Sequence, residues 1–239
     1  MRVNEIFLSA DGEINGFAGI GELSWFLRLQ GCNLSCAYCD TPDSQAPDAL
    51  INAAGHEIKE MTTQEIIQYI LNENPGVRKI TITGGEPLLP QRVGEVYDLA
   101  RELVAHDFRV SIETNGSITP DRDLLPEDVH FIIDYKSSGD FRFDLTQSTC
   151  NDILKVPSTS TLDAATKMLA ISRMLDSCRN PWVLDTIAIS PINGKPEEEP
   201  DYNAFLRVMC RIIKDNAHVQ QYHWVLNIQA HKKFWKDKV

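Results

Sequence analysis

Apolar and polar positions alternate along this chain with two different periods, and the switches between them mark the elements. Val3 to Leu8 and Leu23 to Leu29 read as strands, separated by a loop, residues 9–21, that is rich in glycine and acidic residues. Residues 42–61 are polar and irregular and read as an insertion. Thr62-Thr63-Gln64-Glu65 is a capping-box signature, and Ile66, Ile67, Ile70 and Leu71 follow at helical spacing. Lys79 to Thr83 predicts a strand, 91–105 a helix, Phe108 to Ile112 a strand, Val129 to Ile133 a strand and Asp152 to Val156 another. A helix over 161–177, a strand over 183–189, a helix over 201–215 and a last strand over 222–228 complete the series. The apolar runs are those of parallel strands buried on both faces. The fold class is α/β, an incomplete (partial) β/α barrel of about six to seven mostly parallel strands, with an open flavodoxin-like sheet as the alternative. At 239 residues the chain reads as one domain, 1–239.

A net charge of −11 argues against a nucleic-acid surface. No secretory signal opens the chain and no apolar run reaches membrane-spanning length, so a cytoplasmic protein without membrane attachment is expected. In that compartment clustered cysteines point to metal or redox chemistry rather than disulfides. Cys150, Cys178 and Cys210 lie scattered in apolar patterns and are read as buried structural thiols.

The other three, Cys32, Cys36 and Cys39, stand at C-x3-C-x2-C spacing directly after the second strand. Three thiolates are one short of the usual structural zinc set and one short of a fully protein-ligated iron–sulfur cluster. Zinc with Asp40 as fourth ligand stays open on spacing alone. A three-cysteine cluster would leave one iron free for another ligand. Other polar signatures recur just past strand ends, where β/α folds place their sites. Gly84-Gly85-Glu86-Pro87 is either a tight turn or a backbone cradle. Glu113 suits a sugar hydroxyl, and Lys136 suits a carboxylate.

Taken together these residues resemble the radical S-adenosylmethionine superfamily. Cys32, Cys36 and Cys39, with Tyr38 before the third, match its cysteine motif, and Gly84 to Pro87 its glycine-rich strand end. The resemblance implies a 4Fe–4S cluster whose free iron is chelated by S-adenosylmethionine, which is then cleaved to a 5′-deoxyadenosyl radical. Within the superfamily the chain is similar to the 7-carboxy-7-deazaguanine synthases nearly end to end. The similarity is carried by Glu5-Ile6-Phe7 with Asp11-Gly12-Glu13, Phe26 to Leu29 before Gly31-Cys32, Asp40-Thr41, and Gln229-x-His231-Lys232. That family converts 6-carboxy-5,6,7,8-tetrahydropterin to 7-carboxy-7-deazaguanine with loss of ammonia and return of the hydrogen to the cofactor, on the route to queuosine.

Position by position, the resemblance implies that Thr41 gives its hydroxyl to a Mg²⁺ ion. Ala10, Asp11, Gly12, Glu13, Arg28 and Thr83 would hold the pterin, covered by Gln229 and His231 and the terminal carboxylate of Val239. Gly84, Gly85, Glu86, Glu113, Lys136 and Ser190 would hold S-adenosylmethionine, with Tyr38 and Asp40 beside it. A flavodoxin- or ferredoxin-type reductant is the implied partner, and a homodimer fits the reading. Without the resemblance Thr41 reads as a cap or turn residue. Two departures stand out. Ile14 follows Glu13 where the family reads Gly-Glu-Gly, and Asp134-Tyr135 precede Lys136 where other members carry Ser-Pro. The rivals are an activating enzyme for a glycyl-radical protein or an anaerobic ribonucleotide reductase, and a small iron–sulfur electron carrier.

Overall fold

The computed structural model describes residues 1–14, 20–136, 139–177, 184, 186–192 and 199–228. Among these residues nine strands form a single sheet. In chain order they are β1 (Arg2–Ala10), β2 (Leu23–Leu29), β3 (Lys59–Glu60), β4 (Lys79–Gly84), β5 (Arg109–Thr114), β6 (Val129–Asp134), β7 (Ile153–Ser158), β8 (Thr186–Pro191) and β9 (His223–Leu226). The helices are α1 (Thr63–Glu73), α2 (Val93–Ala105), α3 (Thr161–Ser177), α4 (Tyr202–Asp215) and the single turn α5 (Ala217–Gln220). The spatial order is β3-β1-β2-β4-β5-β6-β7-β8-β9. From β2 to β9 every pairing is parallel, and β1 and β3 add an antiparallel edge. The sheet is curled but open, the partial barrel expected. Its curl is evident from one short loop, 11–14, which touches Lys79 on β4, Lys155 on β7 and Asn227 beyond β9.

The central strands are buried on both faces as expected, but the expectation that both faces are apolar is corrected for β4, whose inner face is polar. On β4 and β5 apolar and polar residues alternate, while β6 keeps Phe131, Ile132 and Ile133 buried in succession. On β4 Ile80 and Ile82 point outward, into a core with Ile66, Ile67 and Ile70 of α1 and Val96, Leu99 and Leu103 of α2. Lys79, Thr81 and Thr83 point into the barrel, where Thr81 Oγ1 lies 3.2 Å from Ser24 Oγ of β2. The hydrophobic core therefore sits outside the barrel, between sheet and helices, and its interior is left polar. Burial of each outward aliphatic contributes about 1.5–3 kcal/mol.

The helices start where the sequence sets them. Thr62 and Glu65 form the reciprocal capping box of α1. Among the described residues no α-helix follows β5 or β6, and 3-10 turns at Arg122–Leu124 and Leu145–Gln147 take their place. The outer face of β6 is covered instead by side chains. Phe131 packs edge-on to Phe143, and the Arg122 guanidinium lies 4.4 Å from its ring centre while pairing with Asp152. Cys150 and Cys210 are exposed, not buried. On α4 Met209 faces the core, and the next residue, Cys210, is turned about 100° away from it. Cys178 lies outside the described residues. No described helix is long and apolar enough to cross a membrane.

Candidate functional site

The loop after β2 is shaped by the strand beside it. Gly31 has φ +96°, and its N–H donates to Ser44 O at 2.7 Å while Cys32 N–H donates to Gln45 O at 3.0 Å. The 42–58 segment thus braces the cysteine loop. From the other side, Gly85 N–H donates to Leu29 O at 2.8 Å and Glu86 N–H to Gly31 O at 2.9 Å. A Cβ on Gly85 would lie 1.9 Å from Gly31 O, and Gly84 (φ +117°) is as tightly packed on Leu29. The two glycines exist for this close approach of β4 to the loop. Glu86 is fully buried behind it. Its Oε1 accepts from Leu88 N–H at 2.9 Å and Thr114 Oγ1 at 2.8 Å, and its Oε2 from Asn115 N–H at 2.7 Å. Of the cofactor residues expected from sequence, Glu86 is the one that does not reach the cavity described next: its carboxylate ties the ends of β4 and β5 together.

A cavity of about 850 Å³ runs from the cysteine loop into the barrel. Cys32, Cys36 and Cys39 border it with free, half-buried thiols. Burial pushes the Cys32 and Cys36 thiols up, so metal loading would release their protons. Among the described residues no three His, Cys, Asp or Glu side chains converge as on a single ion. Three thiols on one rim suit a cluster, in which each iron takes its own thiolate. Tyr38 reaches Lys136 O with its hydroxyl at 3.4 Å, and Lys136 Nζ stands 5.9 Å from its ring centre. Asp40 is exposed at the mouth. Thr41 occupies the N-cap of a 3-10 turn, Pro42–Ser44, yet makes no side-chain cap bond. Its hydroxyl lies 3.9 Å from Cys39 Sγ, on the cavity.

The inner wall carries Gly84, Gly85, Arg28, Thr83, Glu113, Lys136 and Ser190, and the floor carries Ala10, Asp11, Gly12 and Glu13. Arg28 Nε pairs with Glu5 Oε1 at 2.7 Å, which leaves its terminal nitrogens for a ligand. The floor is pinned at two points. Asp11 pairs with the fully buried Lys79, and Glu13 Oε2 with Lys155 Nζ at 2.8 Å. Ile14 needs no glycine freedom: its N–H donates to Asn227 Oδ1 at 3.1 Å, and its φ is not positive. Burial opposes charge on Lys136, but Asp134 beside it outweighs that and holds the ammonium above its ordinary value. Sequence reasoning missed Lys155 and Asn227. The one available signal was a lone lysine in the apolar strand Ile153-Leu154-Lys155-Val156. Gln229, His231 and Val239 lie outside the described residues.

Thr83 Oγ1 donates to Glu113 Oε2 at 2.7 Å. Burial lifts the Glu113 carboxyl to about 7 against the pull of Lys155, and Glu13 adds to the rise. A carboxyl raised in the fold binds a proton that the unfolded chain has already lost. Its contribution to stability is therefore present below pH 4.5 and lost as pH rises towards 7. Glu113→Gln is expected to gain melting temperature relative to the parent across that window. A difference that does not vary with pH would contradict the raised carboxyl.

Residues 27–194 match the Radical SAM superfamily. A 7-carboxy-7-deazaguanine synthase of Clostridium acetobutylicum is 33% identical over 244 residues, which cover 98% of this chain and 96% of that protein. One of Methanospirillum hungatei is 41% identical over 145 residues, or 59% of this chain and 53% of that protein, so this second alignment spans about half the relative's length. The crystal structure of QueE from Escherichia coli superposes with a TM-score of 0.64 at 20% identity, over 94% of this chain and 92% of that one, a likeness of fold. The likeness to a named relative runs over almost the whole length of both chains: the chain belongs to the radical S-adenosylmethionine superfamily and, within it, to the 7-carboxy-7-deazaguanine synthases.

Proposed function

We propose that this protein converts 6-carboxy-5,6,7,8-tetrahydropterin to 7-carboxy-7-deazaguanine, with loss of ammonia. The observation that carries the reading is the near end-to-end match to a synthase of that name. The cavity supports it, with the thiols on one rim and the 10–13 loop on the floor.

The family implies a 4Fe–4S cluster and S-adenosylmethionine, and the donor set fits them. A cluster held by Cys32, Cys36 and Cys39 would, with S-adenosylmethionine bound, supply a 5′-deoxyadenosyl radical. The protein's own part is to bind, orient and shield. Lys136, kept charged by Asp134, meets the methionine carboxylate, and Glu113 and Ser190 hold the rest of the cofactor with Tyr38, Asp40, Gly84 and Gly85 around it. The terminal nitrogens of Arg28 meet the substrate carboxylate, because a planar, permanently charged fork suits it. Thr83 and the 10–13 loop receive the pterin ring. The uncapped Thr41 hydroxyl offers a hard oxygen to Mg²⁺. Glu86 is not part of this set. The reading takes 1–239 as one domain, cytoplasmic, reduced by a flavodoxin- or ferredoxin-type donor and compatible with a homodimer.

The test is anaerobic. The reconstituted protein receives reductant, S-adenosylmethionine, Mg²⁺ and the carboxytetrahydropterin, and the product is identified by mass. Deazaguanine is expected. Cofactor cleavage without it would overturn the substrate and leave the superfamily intact.

A further inference from the structure

We propose that Lys155 is a positioning residue that couples the substrate loop to the cofactor side of the cavity. Lys155 sits midway along β7 with its side chain inside the barrel and 8% of the residue exposed. Its ammonium joins two carboxylates from distant parts of the chain. Glu13 Oε2 of the floor loop is at 2.8 Å, and Asp134 Oδ1 at the end of β6 is at 3.3 Å. Asp134 pairs in turn with Lys136. On the other side, Asn227 Nδ2 donates to Glu13 Oε2 at 3.3 Å and to Ser190 Oγ at 3.0 Å. One continuous polar chain therefore runs Ser190–Asn227–Glu13–Lys155–Asp134–Lys136. Its two ends are the residues placed on S-adenosylmethionine, and its middle is the floor of the pterin site. The inference rests on that assignment of the two sites.

The arrangement has a physical consequence. A buried ammonium is tolerated only while its carboxylates stay close, so Lys155 fixes Glu13 and Asp134 relative to one another. The floor loop is held independently by Lys79 at Asp11 and by Asn227 at Glu13 and Ile14, so losing Lys155 breaks the link from Glu13 to Asp134 and leaves the loop in place. A ligand that orders Glu13 then orders Asp134, and with it Lys136. Binding of pterin and binding of S-adenosylmethionine are thereby linked, and the link is reciprocal.

The experiment measures linkage without turnover. Oxidised, cluster-loaded protein is dialysed anaerobically against labelled S-adenosylmethionine, with and without the carboxytetrahydropterin. In the parent protein the pterin is expected to tighten cofactor binding about fivefold or more. In Lys155→Met the ratio is expected to fall to about one while cluster absorbance persists, with Lys155→Arg restoring part of it. Glu13→Gln removes the same pair without burying an unpaired acid, and is expected to lose the ratio too, so the test survives if Lys155→Met folds poorly. A cofactor affinity that drops equally with and without pterin would mark a merely structural residue and overturn the proposal. So would a parent protein that forms deazaguanine yet shows no linkage. A parent protein that forms no deazaguanine overturns the assignment of the sites itself, and the proposal with it.

Discussion

Cys36→Ala is expected to abolish cluster assembly and deazaguanine formation while leaving the fold in place. The loop that carries the cysteines is held chiefly by its backbone, and a thiol that adds to this is that of Cys32, which accepts from Leu34 N–H at 3.4 Å. Gly31 and Cys32 donate to Ser44 and Gln45, Glu86 donates to Gly31, and Cys39 N–H donates to Cys36 O at 3.1 Å. Cys36 is a half-buried thiol outside any disulfide, so truncating it costs within about 0.5 kcal/mol of the metal-free protein's stability. The cost to function is total by comparison, because three thiolates are already one fewer than a cluster normally takes. Iron and sulfide content, cluster absorbance and product should all vanish, with the far-ultraviolet dichroism unchanged. A Cys36→Ala protein that still assembles the parent's cluster would contradict the assignment of the ligands.

Gly85→Ala is the largest structural effect expected. Its new methyl would meet Gly31 O at 1.9 Å, Gly31 C at 2.3 Å and Ser44 O at 2.9 Å, all backbone atoms that cannot swing away. Either β4 or the cysteine loop has to move. The expected loss is about 3 kcal/mol in the urea unfolding of the metal-free protein, with reduced iron uptake because the loop is displaced. Gly94→Ala, an exposed position in the first turn of α2 with nothing within 4 Å of the added methyl, is the control. There the exchange relieves backbone entropy and should stabilise by about 0.5 kcal/mol. Equal effects at the two positions would mean that the double glycine is only a turn.

Much of this organisation is legible before the structure. The helical spacing of Ile66, Ile67 and Ile70 and the Thr62–Glu65 capping box follow from local rules, and the structure bears them out, whereas of the polar residues read past strand ends Lys136 lies there and Glu113 and Ser190 fall inside β5 and β8. The cysteine spacing needs only its own short segment. What escapes is what depends on partners far away in sequence. The alternation of Lys79-Ile80-Thr81-Ile82-Thr83 is plain, but nothing local says that the polar side is a buried interior. Lys79 meets Asp11 across 68 positions, and Lys155 meets Glu13 across 142. A lysine in a strand reads as a surface charge until those acids arrive. Glu86 misleads in the opposite sense. In a motif read as a ligand cradle, its carboxylate serves only backbone and Thr114. Cys210 shows the limit of apolar neighbourhood as a guide, since one residue along a helix separates core from solvent.

The measurement that bears most directly on the account is the ratio of product to cofactor consumed. With carboxytetrahydropterin supplied in excess over S-adenosylmethionine, under reducing and anaerobic conditions with Mg²⁺, the account predicts more 7-carboxy-7-deazaguanine than S-adenosylmethionine lost, because the proposed reaction would return the hydrogen to the cofactor. Consumption of S-adenosylmethionine to 5′-deoxyadenosine with no deazaguanine formed would contradict it.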